Sequence, residues 1–352
     1  MKRSLTYAQA INEALFQAME MDESVICYGL GVPDPKGVFG TTLGLQERFG
    51  EARVFDMPAS ENAMTGVAIG AALNGIRPVM THQRVDFFLL ALDQLVNNAA
   101  KWHYMFGGQT SVPITIRLII GRGWGQGPTH SQSLQAWLAH VPGLKVVMPA
   151  TAADAKGLLL SSIFDDNPVI FLEHRWLHNL EGDVPENDFR VPIGKAHQLK
   201  TGKDISIISS SYMTIEALHI VEFLENKDVT CDLIDLRSVK PIDWELIFDS
   251  VRKTGRLLVL DTGAFTGSIS GEIIARVSTE CFDSLIQAPQ RIALPDFPTP
   301  TSPALTKDFY AGAVEIANIV GKMLEKDFDS STLKEQQKFP HDVPGDWFKG
   351  PF

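Results

Sequence analysis

Cysteine is scarce. Cys27, Cys231 and Cys281 are the three in 352 residues, and no CxxC pair occurs. That excludes a disulfide framework and a zinc site built on paired cysteines. No apolar run reaches the roughly 18 residues that a membrane-spanning helix needs, so no membrane partner is expected. The opening stretch, MKRSLTYAQAINEAL, carries basic residues but no apolar segment of signal-peptide type, and a cytoplasmic location is the expectation. Positive charge is also short: 31 Lys and Arg stand against 42 Asp and Glu, a net charge of -11. A nucleic-acid surface would want a basic stripe, so no nucleic-acid partner is expected. The nine histidines show no HExxH spacing, and there is neither a GxxxxGK[ST] phosphate loop nor a GxSxG elbow.

What the chain has is core-forming material: 45% of it is hydrophobic, over a length that suits two domains. Short β-like runs (24–29, 53–58, 76–83, 112–120, 144–149 and 168–173) alternate with helical patterns (6–20, 61–74, 86–104, 131–139 and 152–164). Strands alternating with helices predict an α/β domain with a mainly parallel sheet flanked by helices. A polar, turn-rich stretch follows. The alternation then resumes with strands at 205–211, 229–237, 256–262 and 291–295 and helices at 212–225, 243–253, 268–279 and 310–325. The expected organisation is a first domain at 1–180, a linker at 181–204, a second α/β domain at 205–325 and a polar tail at 326–352, which reads equally as an arm on a neighbour or as disorder.

Several residues could carry chemistry. Glu61 opens a helix, ENAMTGVAIGAALNG, after Ser60, a residue type that caps helices. A carboxylate there complements the helix dipole for about 0.3–1 kcal/mol, which is the plain structural reading. Gly66 and Gly70 shift the balance, because each costs about 1 kcal/mol against alanine inside a helix. Something approaches that helix closely, and a subunit contact fits. The stretch GRGWGQGPTHSQS (121–133) is glycine-rich between a strand and a helix, and it leads to His130. Such a loop can approach a ligand, although a loop histidine bonded to backbone is the commoner case. Phe87 and Phe88 follow Gln83. They read as core by default, or as a ring facing a flat cofactor. In FDDNPVIF (164–171), Asp165, Asp166 and Asn167 form an oxygen-rich turn that can hold a cation.

Taken together, PASENAMTGVAIGAALNGIRPV, LDQLVNNAAKWHYMFGG, VPITIR, HSQSLQAWLAHVPGLKVVMPATAADAKGLLLSSIFDDNPVIFLE and VTCDLIDLRSVKPID resemble one family. It is the β subunit of the thiamine-diphosphate-dependent decarboxylating component of 2-oxo acid dehydrogenases, of pyruvate or branched-chain type. The resemblance runs over roughly residues 4–325. It implies a transketolase-like pyrimidine-binding domain followed by a transketolase C-terminal domain. It assigns Glu61 to the hydrogen bond on the aminopyrimidine ring, which favours loss of the thiazolium proton. Phe87 falls on the ring that stacks on the pyrimidine, Gln83 and Ala59 lie beside it, and His130 falls on a histidine near the acyl-transfer end. Ile114, Ser162, Asp165 and Asn167 match a structural potassium site built largely from backbone carbonyls.

The family's cofactor needs a GDG motif for Mg2+ and diphosphate, and none occurs here. The chain is therefore expected to supply the pyrimidine half of the site. An α subunit would hold the Mg2+ in an α2β2 heterotetramer, the donor would be a small 2-oxo acid, and the acceptor a lipoyl-bearing acyltransferase or another acceptor. Departures bear on substrate and acceptor: Leu30 stands where an acidic residue is usual, Trp124 is bulky, and LDTG at 260–263 replaces a more acidic stretch. A half of a split transketolase and a non-catalytic subunit are the competing readings.

Overall fold

The computed structural model describes residues 3–122, 125–341 and 343. Trp124 and the last nine residues lie outside that range. The expected α/β alternation is realised as two units. One is built from Met1–Ile120, Trp137–Ile193 and Ser238–Pro241, the other from Gly121–Ala136, Gly194–Arg237 and Ile242–Phe352.

The first unit holds a seven-stranded sheet in the order 238–240, 145–147, 169–174, 115–120, 77–82, 25–28, 54–55. All neighbours pair in parallel except the edge strand Ser238–Lys240, which is antiparallel to 145–147. The central strands TIRLII and VIFLEH are buried at every residue, as a parallel sheet covered on both faces requires. The helix Tyr7–Met21 begins in a capping box, with Gln9 N donating to Thr6 Oγ1 and Thr6 N to Gln9 Oε1. Its buried Ala10, Ile11, Ala14, Leu15 and Ala18 recur at helical spacing and face the helix Ala152–Ile163.

The single helix expected over 86–104 is four pieces instead: Val85–Phe88, a 3-10 turn Leu89–Ala91, a wider π-type stretch Gln94–Ala99, and Ala100–Met105. Polar side chains tie the irregular stretch locally, Asn97 to Asp93 at 2.7 Å and Asn98 to Gln94 at 3.1 Å. Widened turns of this kind are frequent beside functional sites.

The second unit holds a five-stranded sheet in the order 290–294, 257–264, 205–209, 231–235, 197–200. The last strand is antiparallel and arises from the polar stretch read as linker. Ile205, Ile207, Leu233 and Leu258 pack with the helices Tyr212–Glu225 and Ala313–Met323. Ser206 and Asp232 alternate with those residues and so face the other way. There they bond Ser250, Thr254 and Lys253 of the helix Trp244–Thr254.

The described part of the tail packs on its own unit. Phe328 meets Phe223 edge-on at 5.8 Å, Leu333 in the short helix Ser331–Gln336 is buried, and His341 Nε2 lies 2.9 Å from Thr306 Oγ1. Two apolar side chains in a polar stretch are enough to dock it. Among the described residues, no helix is long and apolar enough to cross a membrane.

Candidate active site

Ligand sites in open parallel sheets form where loops leave the carboxyl ends of the strands. In the first unit three such loops meet. One leaves the strand Val25–Tyr28, one leaves Val54–Phe55, and one leaves Arg77–His82. Gly31 N donates to Asp56 Oδ1 at 3.2 Å, and Gln83 Nε2 donates to the Leu30 carbonyl at 3.2 Å, so the three loops are bonded to one another. Gly29 is required where the first loop starts, because a Cβ there would fall 2.0 Å from the Thr81 carbonyl oxygen.

Glu61 is the first residue of the helix Glu61–Leu73 and is 8% exposed. Ser60 makes no side-chain cap bond, so the expected hydroxyl cap is absent, and Glu61 is the acidic residue of the first turn. Among the described residues, that carboxylate has no hydrogen-bond or ion-pair partner. Most of the side chain is buried, while the carboxylate oxygens are left available to a ligand. The turn that carries it is held from behind: Tyr28, buried and stacked on Phe55 at 5.0 Å, donates its hydroxyl to the Met64 carbonyl at 3.0 Å. Thr65 Oγ1 donates to the Glu61 carbonyl at 2.8 Å.

The glycines of this helix are not explained inside the unit. A Cβ on Gly70 would meet nothing within 4 Å, and one on Gly66 would meet only the end of Gln94. Ala63, Val67, Gly70 and Asn74 form an exposed stripe beside Glu61. Ala59 is exposed on the approach to the helix, Gln83 is half-buried with its amide held by Leu30, and Phe87 is half-buried in the one-turn helix after it. His82, between them, is buried with its edge on Phe88 at 5.0 Å, and burial pushes its imidazole down to about 4.

His130 belongs to the second unit and is half-buried. Its Nδ1 lies 3.1 Å from Thr129 Oγ1, and its backbone N–H donates to the Gly127 carbonyl at 3.4 Å. The helix expected from 131 starts at Gln135.

The expected cation turn has the right kind of donors. Ser162 lies in the last turn of the helix Ala152–Ile163, Asp165 and Asn167 form the turn, and the Ile114 carbonyl accepts from Val169 just beyond it. The turn already draws positive charge: Arg77 Nη1 donates to the carbonyls of Ile163 (3.3 Å) and Asp165 (3.0 Å), and Lys145 pairs with the Asp165 carboxylate. No cluster of three His, Cys, Asp or Glu able to hold a metal occurs among the described residues.

One cluster has no counterpart among the sequence expectations. Arg117 and Glu173, both fully buried, are bonded at 2.7 and 3.0 Å on adjacent central strands, and Arg117 also reaches Thr81 Oγ1 at 3.2 Å. His178 Nε2 lies 3.3 Å from Glu173, and its ring stacks on Tyr7 at 5.8 Å. Burial raises the Glu173 carboxyl, but Arg117 and His178 bring it below its ordinary value. Burial takes His178 down to about 4. One charged residue inside each of two mainly apolar strands was the available signal.

Two transketolase-type domains account for the chain. The family described as transketolase, pyrimidine binding domain, matches residues 3–179, and that described as transketolase, C-terminal domain, matches residues 194–316. A solved split-gene transketolase, described as an inactive β4 tetramer, superposes with a TM-score of 0.75 at 21% identity, over 91% of this chain and 98% of that one. At that identity the likeness is one of fold. Closer relatives are β subunits. The acetoin:2,6-dichlorophenolindophenol oxidoreductase β subunit of Cupriavidus necator is 39% identical, over 92% of this chain and 99% of its own. The pyruvate dehydrogenase E1 β subunit of Rickettsia bellii is 39% identical over 91% and 98%, and the 2-oxoisovalerate dehydrogenase β subunit of Bacillus subtilis 39% over 91% and 99%. The chain belongs to this family of transketolase-type β subunits. Membership implies thiamine diphosphate as the cofactor. The residues present fit its aminopyrimidine end: a mostly buried glutamate whose carboxylate has no partner among the described residues, in a unit whose loops bring a glutamine and an aromatic ring.

Proposed function

We propose that the chain is the β subunit of a thiamine-diphosphate-dependent enzyme that decarboxylates a 2-oxo acid and passes the acyl group on. The observation that carries this reading is Glu61, a mostly buried glutamate opening a helix, whose carboxylate has no partner among the described residues. Thiamine diphosphate, when bound, supplies a nucleophilic thiazolium carbon and an electron sink for decarboxylation. The chain's own task is to receive the aminopyrimidine. Glu61 holds a proton against its ring nitrogen, Phe87 offers a ring face, and Gln83, anchored on Leu30, borders it together with Ala59. The small-residue helix keeps water from Glu61 once a second subunit covers it. His130 serves as a proton donor and acceptor near the acyl-transfer end.

An α subunit completes the site in an α2β2 assembly. It holds the diphosphate and its Mg2+, for which this sequence has no GDG motif. The exposed stripe on Ala63, Val67 and Gly70 supports such a contact. A structural K+ at Ile114, Ser162, Asp165 and Asn167 belongs to the same proposal, supported by the oxygen-rich turn. A lipoyl-bearing acyltransferase is the acceptor. A cytoplasmic location is supported by three buried, free thiols. Cleavage of a hydroxyketone is the second reading, favoured by the acetoin-type relative.

Co-expression with an α-type subunit, then calorimetry with thiamine diphosphate and Mg2+, tests the half-site. Binding by the pair and by neither subunit alone is expected. Tight binding by this chain alone would overturn it. Turnover of pyruvate, 2-oxoisovalerate and acetoin by the pair then decides the donor class.

A further inference from the structure

Arg122 and the tail meet inside the second unit. Arg122 is 7% exposed, and its guanidinium lies 4.3 Å from the Tyr310 ring and 5.5 Å from the Tyr212 ring. Nη2 donates to the His341 carbonyl at 2.7 Å, across 219 positions of sequence. That carbonyl is itself held, because His341 Nε2 meets Thr306 Oγ1 at 2.9 Å. The aromatic clamp is held as well: Tyr212 donates to Glu216 Oε1 at 2.5 Å, and Glu216 Oε2 accepts from Ala313 N at 3.0 Å. The same C-terminal region lies against the stretch that leads to His130. Gly127 has φ +71°, and a Cβ there would lie 2.6 Å from Thr301 Oγ1, so the backbone at 127 rests against that side chain. Gly127 accepts from His130 N, and Gly121 N donates to the Gln132 carbonyl at 3.3 Å, which ties the two ends of the glycine-rich stretch.

We propose that Arg122 is a positioning residue for His130, and that the C-terminal segment, through the His341 carbonyl, is the strap that holds Arg122. A planar guanidinium with fixed donors suits this duty better than an ammonium: it stacks on the rings and bonds the carbonyl in one orientation. The part of the inference that concerns turnover rests on the function proposed above. The part that concerns the strap does not.

The test uses the assembled α/β pair. Thr306→Val removes the hydroxyl that anchors His341 and keeps the side chain's shape. A second variant, stopped after Phe339, removes His341 and everything beyond. Arg122→Lys and Arg122→Ala report on the stacked group. Amide exchange at residues 125–132 is read beside kcat and KM for whichever of pyruvate, 2-oxoisovalerate or acetoin the parent turns over, with 2,6-dichlorophenolindophenol as electron acceptor. Thr306→Val and the shortened chain are expected to speed exchange at 125–132 and leave 61–73 unchanged. They are expected to lower kcat by about tenfold to a hundredfold with KM nearly constant, the signature of a displaced group and not of a lost binding contact. Arg122→Lys should recover part of what Arg122→Ala loses. Unchanged exchange at 125–132 overturns the strap. Faster exchange with unchanged kcat overturns Arg122 as a positioning residue. A parent pair that turns over none of the three donors refutes the proposed function instead, and the exchange arm still decides the strap.

Discussion

Two buried glutamates in the first unit have opposite lives. Glu173 sits at the centre of the sheet with two bonds to Arg117 and a histidine beside it. Glu61 sits at a helix start, also mostly buried, and its carboxylate has no hydrogen-bond or ion-pair partner among the described residues. A carboxylate that is buried for structure brings its counter-charge with it, because an uncompensated charge in a low-dielectric interior is costly. A glutamate packed into the fold with no partner for its carboxylate is instead a candidate to meet a ligand. The contrast nominates Glu173 as scaffold and Glu61 as the candidate functional group.

The largest effect expected is at the paired glutamate. Arg117→Ala strands Glu173 as a buried, uncompensated charge and should destabilise the chain by about 3–5 kcal/mol. Chemical unfolding midpoints would read this directly. The double substitution Arg117→Met with Glu173→Leu removes both charges and should recover most of the loss. If the single variant unfolds no more easily than the parent, Glu173 is not held by Arg117 and the comparison fails on that side.

At the other glutamate the expectation inverts. Glu61→Gln keeps the shape and removes a charge that the chain does not compensate, so the unfolding midpoint should hold or rise. Turnover by the α/β pair should fall by roughly a hundredfold or more, the range typical of a lost proton-transfer group. A clear loss of stability in Glu61→Gln, with turnover intact, would make Glu61 a structural residue after all.

How much of this could be read in the sequence follows from what each feature depends on. The parallel strands were legible because their apolar, β-branched runs state their own burial. Glu61 could be proposed from sequence because it lies inside a stretch that carries the family resemblance, and Gln83 and Phe87 because they fall between two such stretches. The strand Ser238–Lys240 was not legible: three residues of SVK become a strand only because 145–147 offers an open edge to pair with. Arg117 and Glu173 are 56 positions apart, and their pairing is set by sheet register rather than by local pattern. Arg122 and His341 are farther apart still, in stretches that look like loop and tail. Local periodicity carries local structure, and the long-range polar bonds have no local signature.

Acid should weaken the scaffold in a defined window. His178 and His82 are both held near 4 by burial, below the ordinary histidine value of 6.5. Depressed folded values mean that the unfolded chain binds protons that the folded chain does not. Stability is therefore full above about 6.5 and is lost as pH falls from there toward 4. Each histidine should contribute about 2 kcal/mol of that loss by pH 5. Unfolding midpoints at pH 7.5 and 5 check the sum. His82→Phe, which keeps a ring against Phe88, should remove about half of the difference. An acid sensitivity that is the same in His82→Phe and the parent would show that His82 titrates normally.

The smallest effect sharpens the comparison most. Tyr28 touches the turn of Glu61 but not its carboxylate: its ring stacks on Phe55 and its hydroxyl bonds the Met64 carbonyl. Tyr28→Phe keeps the stack and deletes one hydrogen bond, a change worth about 1 kcal/mol. If the partnerless glutamate is a placed functional group, that small loss should appear twice. Amide exchange should quicken in the first turn of the helix Glu61–Leu73, and the affinity of the α/β pair for thiamine diphosphate should weaken a few-fold. Exchange at the strand Val169–His174, where Glu173 is held by its own ion pair, should not move. A Tyr28→Phe variant with faster exchange in both places would mean that the two glutamates share one rigid body, and that scaffold and site in this unit are not separable.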